Sequence, residues 1–124
     1  MKISTAMAAC LLVSTVQPAL AHHATVTNFT QEIITVEGVI EQVRYQNPHS
    51  SILIRVSGNG ADTYWLIETE ARTTLDRKGI ALDGLETGAS IRATGRKGRR
   101  QYTMLLHEVQ FGDGSKLTIV EPKQ

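Results

Sequence analysis

Cysteine is almost absent from this chain of 124 residues, and its one copy, Cys10, lies near the amino terminus. A protein without paired cysteines has no disulfide to stabilise it and depends on its hydrophobic core. Aromatic residues are also few, with one Trp, three Tyr and two Phe. Such a content disfavours a surface on which nucleic-acid bases would stack.

An excess of charge of one sign is lacking as well. The formal net charge is +1, and removal of Lys2 with the first residues would bring it to zero. A neutral chain is not steered electrostatically towards nucleic acid, so nucleic acid is disfavoured as a ligand. There is no internal repeat and no long low-complexity segment. About a hundred residues suffice for a single domain with one core.

The first 21 residues predict a secretory signal peptide. Lys2 precedes the short apolar stretch "AMAACLLVSTV", and Pro18 precedes "ALA", a small-residue cleavage site that ends at Ala21. The first alternative is a transmembrane helix, which needs about twenty mostly apolar residues, whereas polar residues interrupt this stretch. Lipid attachment to Cys10 is the lesser alternative, because almost no apolar sequence precedes it. We therefore predict a periplasmic or secreted bacterial protein whose mature domain, 22–124, has no transmembrane segment.

Period-two alternation of apolar residues dominates the mature chain and predicts strands. In the first strand, apolar residues share one face up to Ile40, and the face then switches to Val43, as in a bulged strand; Gly38 suits a bend or a bulge. Residues 69–79, with a Thr cap and a terminal Gly, predict a short helix or a pair of turns. The predicted strands cover 33–45, 52–56, 63–68, 89–95, 101–111 and 116–120.

This order of elements predicts an all-β fold, namely a small OB-like barrel of five to six strands with one short helix between strands 3 and 4. A long, bent first strand with a glycine is what such a barrel needs to take part in both halves of its closure. A plain β-sandwich has similar strand spacing and is the alternative. The position of the helix favours the barrel.

Several motifs also resemble a family of small exported bacterial proteins classed as a domain of unknown function. They are "ALAHH" at the export site, "VEGVIEQVRYQNPH" leading into "ILIRV", the "YWLIE" strand, "LETGASIRATG" and the closing "FGDGSKL". The resemblance covers nearly the whole mature chain. It implies a periplasmic or secreted location and an OB-like barrel, and it implies no established activity.

Two adjacent histidines, His22 and His23, would open the mature chain. Cleavage after Ala21 frees an α-amino group with a pKa of about 8, which loses its proton to a transition metal at neutral pH. This amine and the imidazoles of His22, His23 and His49 predict a Cu(II) site, with Zn(II) as the second choice. The alternative is that the two histidines are only the frayed, polar start of the chain.

His49 and His107 each allow two interpretations. His49 lies in "NPHSS", between the first two predicted strands, where loops of OB barrels commonly contact ligands. The alternative is that Asn47 and Pro48 only form a turn and His49 decorates the surface. His107 alternates with Leu105 and later apolar residues, which favours a histidine in the strand wall over a metal ligand.

A basic run gives a second functional hypothesis. "GRKGRR" places Arg96, Lys97, Arg99 and Arg100 in the predicted turn between the fourth and fifth strands. In OB folds this loop often contacts polyanions, so these residues predict a site for a polyanionic ligand or a periplasmic protein partner, without metal. The alternative is a solvated charged hairpin tip that discourages edge pairing.

Motifs for catalysis are lacking. Glu68 and Glu70 would share one face of a strand, but the sequence places no pocket beside them. Ser50 is next to His49 in sequence, which is not the arrangement that a nucleophile and its base require. We therefore predict a small binding protein for a metal ion or small ligand and not an enzyme, with copper as the only expected cofactor.

Overall fold

The computed structural model describes residues 27–119, which form a mostly β structure with one short helix after the third strand. An all-β fold with a helix between strands 3 and 4 is therefore confirmed. No helix in this described range is long and apolar enough to span a bilayer. The elements are β1 (Phe29–Arg44), β2 (Ser50–Val56), β3 (Thr63–Thr69), α1 (Arg72–Arg77), β4 (Ser90–Gly98), β5 (Thr103–Phe111) and β6 (Lys116–Thr118).

The 16-residue strand β1 is shared between two neighbours. Its first part pairs antiparallel with β4, and its last part pairs antiparallel with β2. Val39 belongs to both ladders, opposite Ser90 on one side and Arg55 on the other. The register with β2 shifts between Ile40 and Gln42, so the predicted bulge lies where the apolar face switches.

The pairings of five strands run in a closed circuit. β2 pairs with β3, β3 pairs in parallel with β5, and β5 pairs with β4, which returns to β1. The parallel contact is short, from Leu66 opposite Thr103 to Glu68 opposite Leu105. β6 pairs antiparallel with the last part of β5, and the two strands form a hairpin. The core fills the interior of this arrangement, with fully buried Ile, Leu, Met and Val side chains from β1, β2, β3, α1 and β5.

Helix α1 is shorter than the predicted helix, and its predicted Thr cap was wrong. Thr69 is the buried last residue of β3, and the helix begins after Ala71, which makes no side-chain cap. The cap comes from the β1–β2 loop, since Asn47 Oδ1 accepts hydrogen bonds from the backbone N–H of Thr73 at 3.2 Å and from its hydroxyl at 3.3 Å. Leu75 is the buried residue of the helix and joins it to the core.

Gly38 supplies a test of how tightly β1 packs on β2. A Cβ added at Gly38 would lie 2.5 Å from the carbonyl oxygen of Arg55, a backbone atom that cannot rotate away. We expect Gly38→Ala to lower the free energy of unfolding by about 1–3 kcal/mol, the usual cost of overpacking. Urea unfolding of the mature chain measures this. Gly112→Ala is the matched control, because a Cβ there meets nothing within 4 Å; equal stability of the two variants would contradict the close approach.

Candidate functional site

The four basic residues of "GRKGRR" do not form one turn, so that part of the prediction was wrong. Arg96 and Lys97 lie in β4, which continues to Gly98. Arg96 is half-buried, and its Nε donates to the carbonyl oxygen of Thr30 at 2.7 Å. Lys97 forms an ion pair with Glu32 at 3.4 Å. Both side chains thus join β4 to the start of β1.

Arg99 and Arg100 differ from every other cationic side chain between residues 27 and 119. The other Lys and Arg side chains in this range each make a hydrogen bond or an ion pair. The exposed side chains of Arg99 and Arg100 make neither with any described residue. Their charge is therefore available to a ligand.

The backbone of this turn is held from both sides. The N–H of Arg99 donates to the carbonyl oxygen of Asn28 at 2.9 Å, which links the turn to the start of β1. The N–H of Leu66 donates to the carbonyl oxygen of Tyr102 at 2.9 Å, which links it to β3. The hydroxyl of Thr103 donates to the carbonyl oxygen of Arg100 at 2.6 Å. The two arginines therefore extend from a backbone that is fixed before any ligand arrives.

Tyr102 adds a further constraint on the turn. It has a φ of 57°, in the left-handed region that non-glycine residues rarely occupy. Its ring packs edge-on against Trp65 with 5.6 Å between the ring centroids. This contact and the hydrogen bond to β3 offset the cost of the conformation, which is of order 1–3 kcal/mol. Backbone strain of this kind is common at ligand-binding sites.

Arg99 and Arg100 line a cleft of about 410 Å³, which we call the arginine cleft. It lies where the start of β1, the end of β3 and the β4–β5 turn meet. Its described lining residues are Thr27, Asn28, Phe29, Glu68, Arg99, Arg100 and Thr103. Phe29 and Thr103 are its almost completely buried lining residues. The site thus combines two unpaired cations and one carboxylate with one apolar residue.

Glu68 is a cleft residue that the sequence analysis considered but did not assign to a pocket. The sequence pairs it with Glu70 on one strand face, but Glu70 forms an ion pair with Lys78 Nζ at 2.7 Å. Glu68 lies in the arginine cleft instead. Glu68 reaches the cleft through the parallel pairing of β3 with β5, which places it opposite Leu105. Local periodicity in the sequence does not reveal this pairing.

A second and larger cleft of about 520 Å³ is a weaker candidate. It lies between the middle of β1, β4 and the β5–β6 turn. Its charged groups already have partners: Arg92 forms an ion pair with Glu37 at 2.5 Å, and Arg55 forms ion pairs with Glu41 and Asp62. A ligand there would have to compete with these contacts for each charge.

The proposed metal ligands fall in two places. His22 and His23 lie outside the described residues. His49 is exposed at the end of the β1–β2 loop, directly before Ser50, and the loop is fixed by the Asn47 cap on α1. Within residues 27–119 no three His, Cys, Asp or Glu side chains are grouped as metal ligands would be. The copper site therefore stays a prediction.

His107 lies in the strand wall but not in a regular alternation. It is the extra residue of a bulge in β5, since Leu106 pairs with Gly95 and Glu108 pairs with Thr94. Its side chain is half-buried. Burial lowers the pKa of His107 below its ordinary value, and the positive charge of Arg96 lowers this pKa further. The neutral imidazole is therefore favoured in the folded chain.

Comparison with known proteins assigns the chain to a family. A model of a protein family matches residues 8–105, which is most of the chain, and that family is one of unknown function. No curated protein matches the sequence. The function must therefore be argued from the site.

The lowered pKa of His107 makes a prediction about stability at acid pH. As the pH falls, the unfolded chain takes up a proton at His107 first, at its ordinary pKa of about 6.5. The contribution of His107 to stability is complete above that pKa and is lost as the pH falls towards the folded pKa. The wild type should therefore lose more free energy of unfolding than His107→Gln between about pH 7.5 and about pH 5. Urea unfolding at both pH values measures this, and identical losses in the two proteins would contradict the assignment.

Proposed function

The chain belongs to DUF6152, a family of unknown function, and on that premise we propose that it is an exported binding module, not an enzyme, that takes an anionic group of its ligand into the arginine cleft. One observation carries the proposal. Arg99 and Arg100 are held on a fixed turn, and within residues 27–119 they alone among the Lys and Arg side chains make neither a hydrogen bond nor an ion pair.

The guanidinium groups of Arg99 and Arg100 are chemically suited to bind an anion. A guanidinium group presents five N–H donors in a planar fork that matches carboxylate and phosphate oxygens. Hydrogen bonds between charged groups are worth about 1.5–3 kcal/mol each when formed. Because the backbone of the turn is already ordered, the entropy lost when an anion binds is mainly that of the two arginine side chains. The cleft is therefore suited to an anionic group of a small ligand or of a protein partner.

The arrangement of strands supports an OB-like barrel as the scaffold of this module. Its support is the closed circuit of pairings, the parallel contact between β3 and β5, and the helix between β3 and β4. OB folds bind their ligands on the face of strands 2 and 3 and with the loops that flank it. The arginine cleft uses the end of β3 and the β4–β5 turn, which agrees with that mode of binding.

Export is supported by the predicted signal peptide of residues 1–21. It would place the ligand in the periplasm or outside the cell. The single cysteine of the chain lies inside this leader, so the mature chain would contain no thiol. The absence of a sequence motif for a nucleophile and its base supports a binding role over a catalytic one.

A second candidate is a Cu(II) site at the mature amino terminus, with Zn(II) as the second choice. It is supported by the position of His22 directly after the predicted cleavage site. The free α-amino group, the imidazoles of His22 and His23, and His49 would supply nitrogen ligands, which suit Cu(II) in a tetragonal arrangement. Exposure of His49 makes it accessible as a ligand.

The anion proposal is tested by titrating the mature, ¹⁵N-labelled chain with inorganic phosphate and following the backbone amides. We expect the largest shifts at Arg99 and Arg100. The double variant R99Q/R100Q should bind phosphate at least about tenfold more weakly, because it loses charge-assisted hydrogen bonds. Raising the salt concentration should weaken binding to the wild type, because the site is exposed to solvent.

The matched control is R92Q/K116Q. It removes the same charge, but both side chains have acidic partners outside the cleft, at Glu37 and Glu108. Its phosphate affinity should stay within about twofold of that of the wild type, because distant exposed charges are screened. Equal losses in the two double variants would show that only the net charge matters and would overturn the site.

The copper proposal is tested by comparing a chain that begins at His22 with the same chain acetylated on its terminal α-amino group. If the terminal amine is a ligand, acetylation removes a nitrogen donor beside the first imidazole and should weaken Cu(II) binding sharply. Native mass spectrometry with one equivalent of Cu(II) measures retention of the metal. Equal retention of Cu(II) by the free and the acetylated chain would exclude the amine as a ligand.

A further inference from the structure

Glu68 is the acidic residue of the arginine cleft and is held there by its strand. Its neighbours Ile67 and Thr69 are buried, so the alternation of β3 directs Glu68 to the outer side, where it is half-buried. The backbone on both sides is paired, with Ser51 of β2 opposite Glu68 on one edge and Leu105 of β5 opposite it on the other. The carboxylate is therefore presented from a rigid position.

Glu68 is also unpaired. The seven ion pairs within residues 27–119 use other carboxylates. Glu68 makes no hydrogen bond or ion pair with another described side chain, although Arg99 and Arg100 line the same cleft. The cleft therefore carries unpaired charges of both signs that a ligand can contact.

The geometry points to a small zwitterion as the ligand, with its anionic end at Arg99 and Arg100 and its ammonium group at Glu68. This inference rests on the proposed function and names the class of ligand. An ammonium group has three donors and no acceptor, so an ionised carboxylate is a suitable partner. A ligand with both charges would compensate the guanidinium groups and the carboxylate of the cleft together.

The size and the apolar part of the cleft narrow the class further. A volume of about 410 Å³ lies towards the lower end of the range for small-molecule pockets, about 300–1,000 Å³. Phe29 is the apolar residue of its lining. An amino acid whose amine and carboxylate are separated by a short methylene chain fits both features, because the chain would contact Phe29 while its ends reach the charges.

The test uses straight-chain ω-amino acids from glycine to 6-aminohexanoate, each matched with the alkanoate that lacks the amine. Affinities for the mature chain are measured from amide shifts in NMR titrations. We expect at least one amino acid to bind about tenfold more tightly than its alkanoate, as one charge-assisted hydrogen bond provides. Glu68→Gln should reduce this ratio to about one and leave alkanoate binding unchanged or tighter, because a repelling carboxylate is gone.

Two further variants keep the result interpretable. Glu86→Gln removes one exposed acidic charge outside the cleft and should leave the ratio as in the wild type. Glu68→Asp keeps the charge but withdraws it by one methylene, so it should shift the preference to a longer amino acid. Circular dichroism confirms that each variant is folded before titration.

The outcomes separate this inference from the proposed function. If alkanoates and amino acids bind the wild type equally through Arg99 and Arg100, the zwitterion is wrong and the anion site stands. If neither alkanoates nor inorganic phosphate bind, both are wrong. If Glu68→Gln keeps the wild-type preference for an amino acid over its alkanoate, Glu68 does not bind the ammonium group. The roles of the other cleft residues would not be affected.

Discussion

The parallel pairing of β3 with β5 closes the circuit of strands and is the contact on which the rest of the structure depends. It comprises only the register from Leu66 opposite Thr103 to Glu68 opposite Leu105. Without it, β3 would be an edge strand at the end of an open sheet, and an open edge invites pairing with other chains. The same contact brings Glu68 beside the turn that carries Arg99 and Arg100, so the fold and the arginine cleft have one origin.

The charged side chains fall into two groups, those that have a charged partner and those that have none. Surface ion pairs such as Arg92 with Glu37 are worth about 0–1 kcal/mol each and are not a major source of stability. They do leave most charged side chains with a partner. Within residues 27–119 the side chains of Arg99, Arg100, Glu68, Asp83 and Glu86 make no hydrogen bond or ion pair, and the first three of these line one cleft. A concentration of unpaired charges on a rigid support is better explained by a ligand than by folding.

Local patterns in the sequence were sufficient for the elements and insufficient for the site. Alternation predicted the strands, and the change of face after Ile40 located the bulge of β1, because both depend on neighbouring residues alone. The basic run was found, but the end of β4 was placed too early, since the ladder with β5 continues to Lys97. Glu68 was not assigned to a pocket, because its place there is set by a contact between residues far apart in sequence.

The cap on α1 shows the same limit. A Thr before a short helical pattern is a reasonable local signal, yet the buried Thr69 belongs to β3, and Asn47 from another loop supplies the cap. Tertiary contacts thus override local preference where a helix of six residues meets a sheet. The "NPH" segment therefore has a structural role through Asn47, beside the proposed role of His49 in metal binding.

The most direct test of this account is a nuclear Overhauser spectrum of the isotope-labelled mature chain, read at the contact between β3 and β5. The account predicts cross-peaks between the backbones of Ile67 and Met104, which pair in the parallel ladder, and slow hydrogen exchange of the Leu66 amide, which donates to Tyr102. Absence of these cross-peaks together with rapid exchange at Leu66 would show that the circuit is open. Glu68 would then not face Arg99 and Arg100, and the cleft would not exist as described.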